Sequence, residues 1–226
     1  MNAFNQNSKA VRVTVCSVLI IAALVLLEKW MSPALQALGD TPRALAAFTV
    51  MGAKIIVPLL LLKTVCGLGP GSLGWVRGGL SQAVWKGVVL AAGSLAFIFL
   101  YQRYSPLFFP SYSFSGRSLL TRDTAPVAAG ILMSASLLNA FGEEIIFRGM
   151  LLPVLSRRMT LVLALLLHSF IFTVYHLFPL QNSVLLFCMG ILFGLGYLWS
   201  NSLLTPVLAH FIENATGVVL FLLNAG

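Results

Sequence analysis

The sequence predicts an all-α protein, a polytopic transmembrane bundle of about seven helices, and three observations carry that prediction. First, 59% of the 226 residues are hydrophobic and only 9% are charged, whereas a soluble domain carries about 25% charged residues. Such a chain cannot cover a surface that faces water, so its solvent is largely lipid. Second, the apolar residues fall in runs near the roughly 20 residues a helix needs to cross the hydrocarbon core. Third, Lys and Arg mostly flank these runs rather than interrupt them, the pattern of membrane topology. One membrane domain over 1–226 fits this length; an added soluble domain does not.

The runs lie at about 11–27, 44–62, 83–101, 125–141, 160–178, 183–199 and 202–223. Lys9 and Arg12 precede the first, as in a signal peptide, but no small-x-small cleavage site follows, so it is read as an uncleaved span. Lys54 interrupts the second run and is expected to snorkel or to pair with an acid. Residues 63–82 form a Gly-rich basic loop. Residues 102–124 hold aromatics, Pro106, Pro110, Arg103, Arg117 and Arg122, as expected of an interfacial segment. The joints near 179–182 and 200–202 are tight, which predicts a hairpin series for helices five to seven. Gly190-x-x-x-Gly194 predicts close helix packing in the sixth span. Pro58, Pro153 and Pro206 are expected at kinks or helix starts.

With the N-terminus inside, the inner segments hold eight basic residues (Lys9, Arg12, Lys63, Arg77, Lys86, Arg148, Arg157, Arg158). The outer segments hold five (Lys29, Arg43, Arg103, Arg117, Arg122). This bias predicts a cytoplasmic N-terminus. The net charge of +8 fits anionic lipid headgroups rather than nucleic acid. Cys16, Cys66 and Cys188 sit in or beside apolar runs without paired spacing and are read as small hydrophobes.

All three histidines and three of the six acids lie after residue 140. Glu143, Glu144 and Arg148 continue the fourth run, and each costs about 2.5–3.5 kcal/mol at the bilayer centre. That is too large a cost for decoration. Glu144 and Arg148, spaced i, i+4, can pair along one helix face. Glu143 is rotated by about 100° and can point elsewhere, which suits a general base; the competing reading is a purely structural ion-pair cluster. His176, at the end of Phe172-Thr-Val-Tyr-His176, could by itself be an interhelical hydrogen-bonder. His210 and Asn214 lie about 40° apart on one face, and two aimed donors are what a tetrahedral oxyanion requires. His168, about 80° around the helix from His176, is expected to be a packing hydrogen-bonder, and Glu213 to be structural.

Glu-Glu-x-x-x-Arg, then Phe-x-x-x-His, then His-x-x-x-Asn, in that order on successive apolar helices, resembles the CAAX-processing and bacteriocin-processing (CPBP, or Abi) family of intramembrane proteases. Leu73-Gly74-Trp75 is a weaker likeness, and the resemblance covers about 70–217. It implies an intramembrane endopeptidase whose catalytic core helices span 125–217. Glu143 and His176 are then expected to activate water, and His210 and Asn214 to stabilise the oxyanion, with Glu144, Arg148 and Phe172 in support. The family has been described both as metal-dependent and as glutamate-type. Glu143, His176 and His210 are the three ligands available to zinc or a similar divalent metal, and no cofactor is assigned. The chain lacks His-Glu-x-x-His, and donation by Asn214 beside His210 favours a metal-free route.

The expected partners are the lipid bilayer and a membrane-associated protein or peptide processed at a C-terminal tail or a leader. The expected location is a prokaryotic plasma membrane. The alternatives are a transporter or ion channel using intramembrane Glu and His, and a non-catalytic membrane scaffold.

Overall fold

The structure, a computed structural model, describes residues 3–36, 40–76, 79–109 and 126–225. Seven long helices order the chain: α1 (Ala3–Gln36), α2 (Asp40–Thr64), α3 (Leu80–Tyr104), α4 (Pro126–Glu144), α5 (Leu161–His176), α6 (Leu180–Ser200) and α7 (Leu204–Ala225). No strand occurs among the described residues, so the all-α expectation holds. The loop expected to be interfacial falls largely at 110–125, outside the described residues.

The bundle has an apolar core with a set of polar and charged residues buried within it, and apolar residues facing outward. Lys54, Glu143, Glu144, Arg148, His168, Ser169, Thr205 and His210 are buried, while Leu19, Leu26, Val162 and Phe170 face outward. Segments Leu45–Thr64, Leu80–Leu107, Gly130–Leu155 and Leu180–Ser200 are long and apolar enough to cross a membrane. Val11–Leu27, Leu161–His176 and Leu204–Leu220 are shorter apolar segments. The sequence ended the fourth run near 141, but the helix continues through Glu144 as a π-helical stretch, Ile145–Leu151, and a last α-turn, Leu152–Leu155. Its charges are paired inside the bundle, Glu144 with Arg148 and Glu143 with Lys54.

Small residues set the closest helix contacts. A Cβ at Gly190 would stand 2.9 Å from the Ser169 Cβ and 3.0 Å from its Cα, so α6 lies directly on α5 there. The expected hairpin series holds for α5 and α6, but α7 packs chiefly against α3 and α4. Two local features turn it that way. Leu203 and Leu204 donate their N–H groups to the carbonyls of Gly74 (2.9 Å) and Trp75 (3.1 Å), and the Ser202 hydroxyl donates to Trp75 O at 2.6 Å. Next, Thr205 donates to Ala83 O at 3.0 Å, and Gly87 leaves space for Leu208, whose Cδ2 would meet an added Cβ at 3.0 Å. Leu73-Gly74-Trp75 is therefore the seat of α7. Gly74 takes a left-handed turn there, φ 74°, which glycine adopts without steric cost.

The tight joints are helix ends capped by Leu177 and Asn201, both at φ 50°. Pro179 then starts α6 three residues earlier than the apolar pattern indicated. Cys16 and Cys66 lie in the core with their Sγ atoms 3.9 Å apart. Burial first, then the contact with Cys16, pushes the Cys66 thiol up to about 11, so it stays a neutral packing group at ordinary pH.

Gly190→Val forces a side chain into the α5 backbone. It is expected to destabilise the protein by about 1–3 kcal/mol, the usual cost of overpacking, read as a lower thermal unfolding midpoint in detergent.

Candidate active site

The site begins where α4 gives way to its π-helical stretch, a device often found at functional positions. Arg148 Nη1 donates to Glu144 Oε1 at 2.9 Å, and both side chains are fully buried. The i, i+4 pair expected from the sequence therefore forms. The guanidinium lies between the rings of Phe172 and Phe193, 4.6 and 5.4 Å from their centroids, and its Nη2 donates to Gly190 O at 3.3 Å. Glu144 Oε1 also accepts from His210 Nδ1 at 2.9 Å. One carboxylate oxygen thus fixes both the arginine of its own helix and the imidazole of α7. With Nδ1–H committed to Glu144, donation from His210 Nε2 requires the imidazolium form.

Glu143 points elsewhere, as the rotation between neighbouring residues implied. Its Oε2 faces His176 Nε2 at 3.7 Å and His210 Nε2 at 3.9 Å, and it has no hydrogen-bond partner among the described residues. Its Oε1 faces Lys54 Nζ of α2 at 3.4 Å. His176 Nδ1–H donates to Phe172 O at 2.8 Å, which leaves the Nε2 lone pair aimed at the Glu143 side. The Phe172 ring packs on His176 with centroids 4.7 Å apart. The structure therefore brings Glu143, His176 and His210 together, with Glu144, Arg148 and Phe172 behind them.

Glu143, Phe172, His176 and His210 line a cavity of about 1000 Å³. Asn214, one turn beyond His210 on α7, lines it too. So do Lys54, Asn139, Asn182 and Glu213, whereas the remaining wall is largely apolar, with Leu95, Ile98, Phe99, Leu132 and Met189 among its residues. Glu213, read as structural beside Asn214 with its side chain free to face the site, is among these lining residues. One expectation changes. His168 is packed edge-on against Phe147, yet neither ring nitrogen has a hydrogen-bond partner among the described residues, since the ring lies among apolar groups beside Gly194. Lys54 was left between snorkelling and pairing; it is buried and paired. A lysine centred in an apolar run, with acids placed in other runs, was the signal for that contact.

Residues 125–216 match the family model described as Rce1-like, type II CAAX prenyl endopeptidase. Over that segment the chain is similar to that family. No curated protein and no solved structure matches the chain significantly. The Rce1-like segment takes in Glu143, Glu144, Arg148, His176, His210 and Asn214, and it leaves α1, α2, α3 and the Leu73-Gly74-Trp75 seat outside. Together with the membrane-spanning helices it makes the chain an integral membrane protein, and the general activity it supports is that of a CAAX-type endopeptidase acting on a membrane-associated substrate.

Glu143, His176 and His210, the three ligands the sequence offers to a metal, face one another, but among the described residues no group of three His, Cys, Asp or Glu side chains has the spacing of a metal site. The cation beside Glu143 is the Lys54 ammonium.

Removing one partner of a buried ion pair leaves an uncompensated charge, at about 3–5 kcal/mol. Arg148→Met is therefore expected to lower the unfolding midpoint sharply. The double variant Arg148→Met/Glu144→Gln should recover part of the loss, as measured by thermal unfolding in detergent.

Proposed function

We propose that the chain is an intramembrane endopeptidase that uses a glutamate- and histidine-activated water, with 125–217 as the catalytic core of one membrane domain. The observation that carries this reading is the approach of Glu143 Oε2 to two imidazole nitrogens in the wall of the cavity. Glu143 Oε2 and His176 Nε2 are both acceptors. A water seated between them gives up a proton to Glu143 as its oxygen attacks the scissile carbonyl carbon. The carbonyl oxygen becomes the oxyanion. Asn214 Nδ2 and the imidazolium Nε2 of His210 are the donors to it. Collapse of the tetrahedral intermediate breaks the C–N bond, and the proton held by Glu143 passes to the departing amine. No covalent intermediate with the protein arises, because no serine or cysteine takes part.

The apolar wall suits a substrate segment that enters from lipid, and the polar groups suit one peptide bond presented in extended form. A C-terminal tail or a leader of a membrane-associated protein has that character. The basic-residue bias supports a cytoplasmic N-terminus in a prokaryotic plasma membrane.

Termini of membrane proteins, mapped by mass spectrometry in cells carrying the wild-type chain or Glu143→Gln at equal expression, test the reading. Defined proteins should keep an uncut tail or leader only with Glu143→Gln; identical termini maps overturn it. On a substrate identified in this way, Glu143→Gln should lower kcat by about 10²–10⁴-fold and Asn214→Ala by about 10²–10³-fold.

A further inference from the structure

We propose that Lys54, on α2 and outside the Rce1-like segment, is a positioning residue of the active site that holds Glu143 in its working orientation; this rests on the reading of Glu143 as the base.

The buried charges give the first reason. Glu144 already has a full partner in Arg148, so the second carboxylate, Glu143, needs a cation of its own in a low-dielectric interior. Lys54 Nζ, 3.4 Å from Glu143 Oε1, is that cation. The side chain is almost fully buried, so it does not snorkel to a headgroup.

The ammonium is also held in place. It donates to Asn139 Oδ1 at 3.0 Å, one turn before Glu143 on α4, and lies 5.4 Å from the centroid of the Tyr175 ring. Tyr175 adjoins His176 on α5, so α2, α4 and α5 meet at this nitrogen. The two oxygens of Glu143 are then divided between two duties. Oε1 is anchored by Lys54, which turns Oε2 toward His176 and His210 and fixes which oxygen meets the water.

The backbone is shaped for the same contact. A Cβ at Gly142 would stand 2.5 Å from the Lys54 Cβ and 3.1 Å from its carbonyl carbon and oxygen. Neither is the far end of a flexible side chain, so only glycine before Glu143 lets α2 approach this closely. The residue next to the proposed base is thus the notch into which Lys54 fits.

The test compares Lys54→Gln, Lys54→Arg, Asn139→Ala and Glu143→Gln in detergent-purified full-length protein. The probe is a quenched-fluorescence peptide spanning the junction that the termini comparison defines. Lys54→Gln should lower kcat at least tenfold with KM within about twofold of wild type, because the base is mis-aimed while the cavity that binds substrate is retained. Lys54→Arg, which keeps the charge, should restore part of the loss. A wild-type kcat for Lys54→Gln overturns the inference. If Lys54→Gln does not fold, Asn139→Ala carries the test: a drop of threefold or more in kcat at unchanged KM supports it, and an unchanged kcat overturns it. Glu143→Gln separates the two levels. If it cleaves like wild type, the reading of Glu143 as base fails. If it is inactive while Lys54→Gln or Asn139→Ala behaves as wild type, only the role of Lys54 fails.

Discussion

The structure hangs on the fully buried bond between Arg148 and Glu144. An ion pair taken out of water repays its desolvation only with further hydrogen bonds, and here such bonds to Arg148 Nη2 and Glu144 Oε1 come from other helices. Gly190 O of α6 receives the second arm of the arginine. His210 of α7 donates to the same glutamate oxygen that the arginine uses. Phe172 of α5 and Phe193 of α6 cover the guanidinium faces. Four helices are thereby set in register by two charges one turn apart, at the end of α4 and in the π-helical stretch that continues it, in a bundle where lipid supplies little hydrophobic drive between helices.

That arrangement separates support from chemistry within a single dipeptide. Glu144 turns inward and is consumed by structure. Glu143, next in sequence but about 100° away around the helix, turns to the cavity and keeps one oxygen without a protein hydrogen bond. The same split recurs in each histidine. One nitrogen of His176 is fixed on Phe172 O and one nitrogen of His210 on Glu144; the other nitrogen of each faces Glu143. Glu143, His176 and His210 are thus each held by one atom and presented by another, which is how a site stays preorganised without being saturated.

Much of this was legible in the sequence because local spacing decides it. The i, i+4 rule yields the Glu144–Arg148 pair, the offset of Glu143, and the shared face of His210 and Asn214. The all-α class follows from apolar runs that no soluble surface could carry. What spacing could not reveal is contact between distant segments. Lys54 lies 89 residues from Glu143, and nothing local says which acid a mid-run lysine will meet. The π-helical stretch escaped because apolar periodicity assumes 3.6 residues per turn. The packing of α7 on α3 and α4 escaped because tight joints suggest sequential neighbours, whereas the carbonyls of Gly74 and Trp75 and the space at Gly87 redirect it.

The seating of α7 on Leu73-Gly74-Trp75 has a bearing on biogenesis. Chains are made from the N-terminus, so α2, α4 and α5, with Lys54, Glu143 and His176, enter the bilayer before α7 exists. The groups proposed to steady the oxyanion, His210 and Asn214, arrive only with α7, which must find a seat formed more than a hundred residues earlier. A partly synthesised chain therefore holds the proposed base without its proposed donors, and the proposed set is complete only once α7 has docked on its seat.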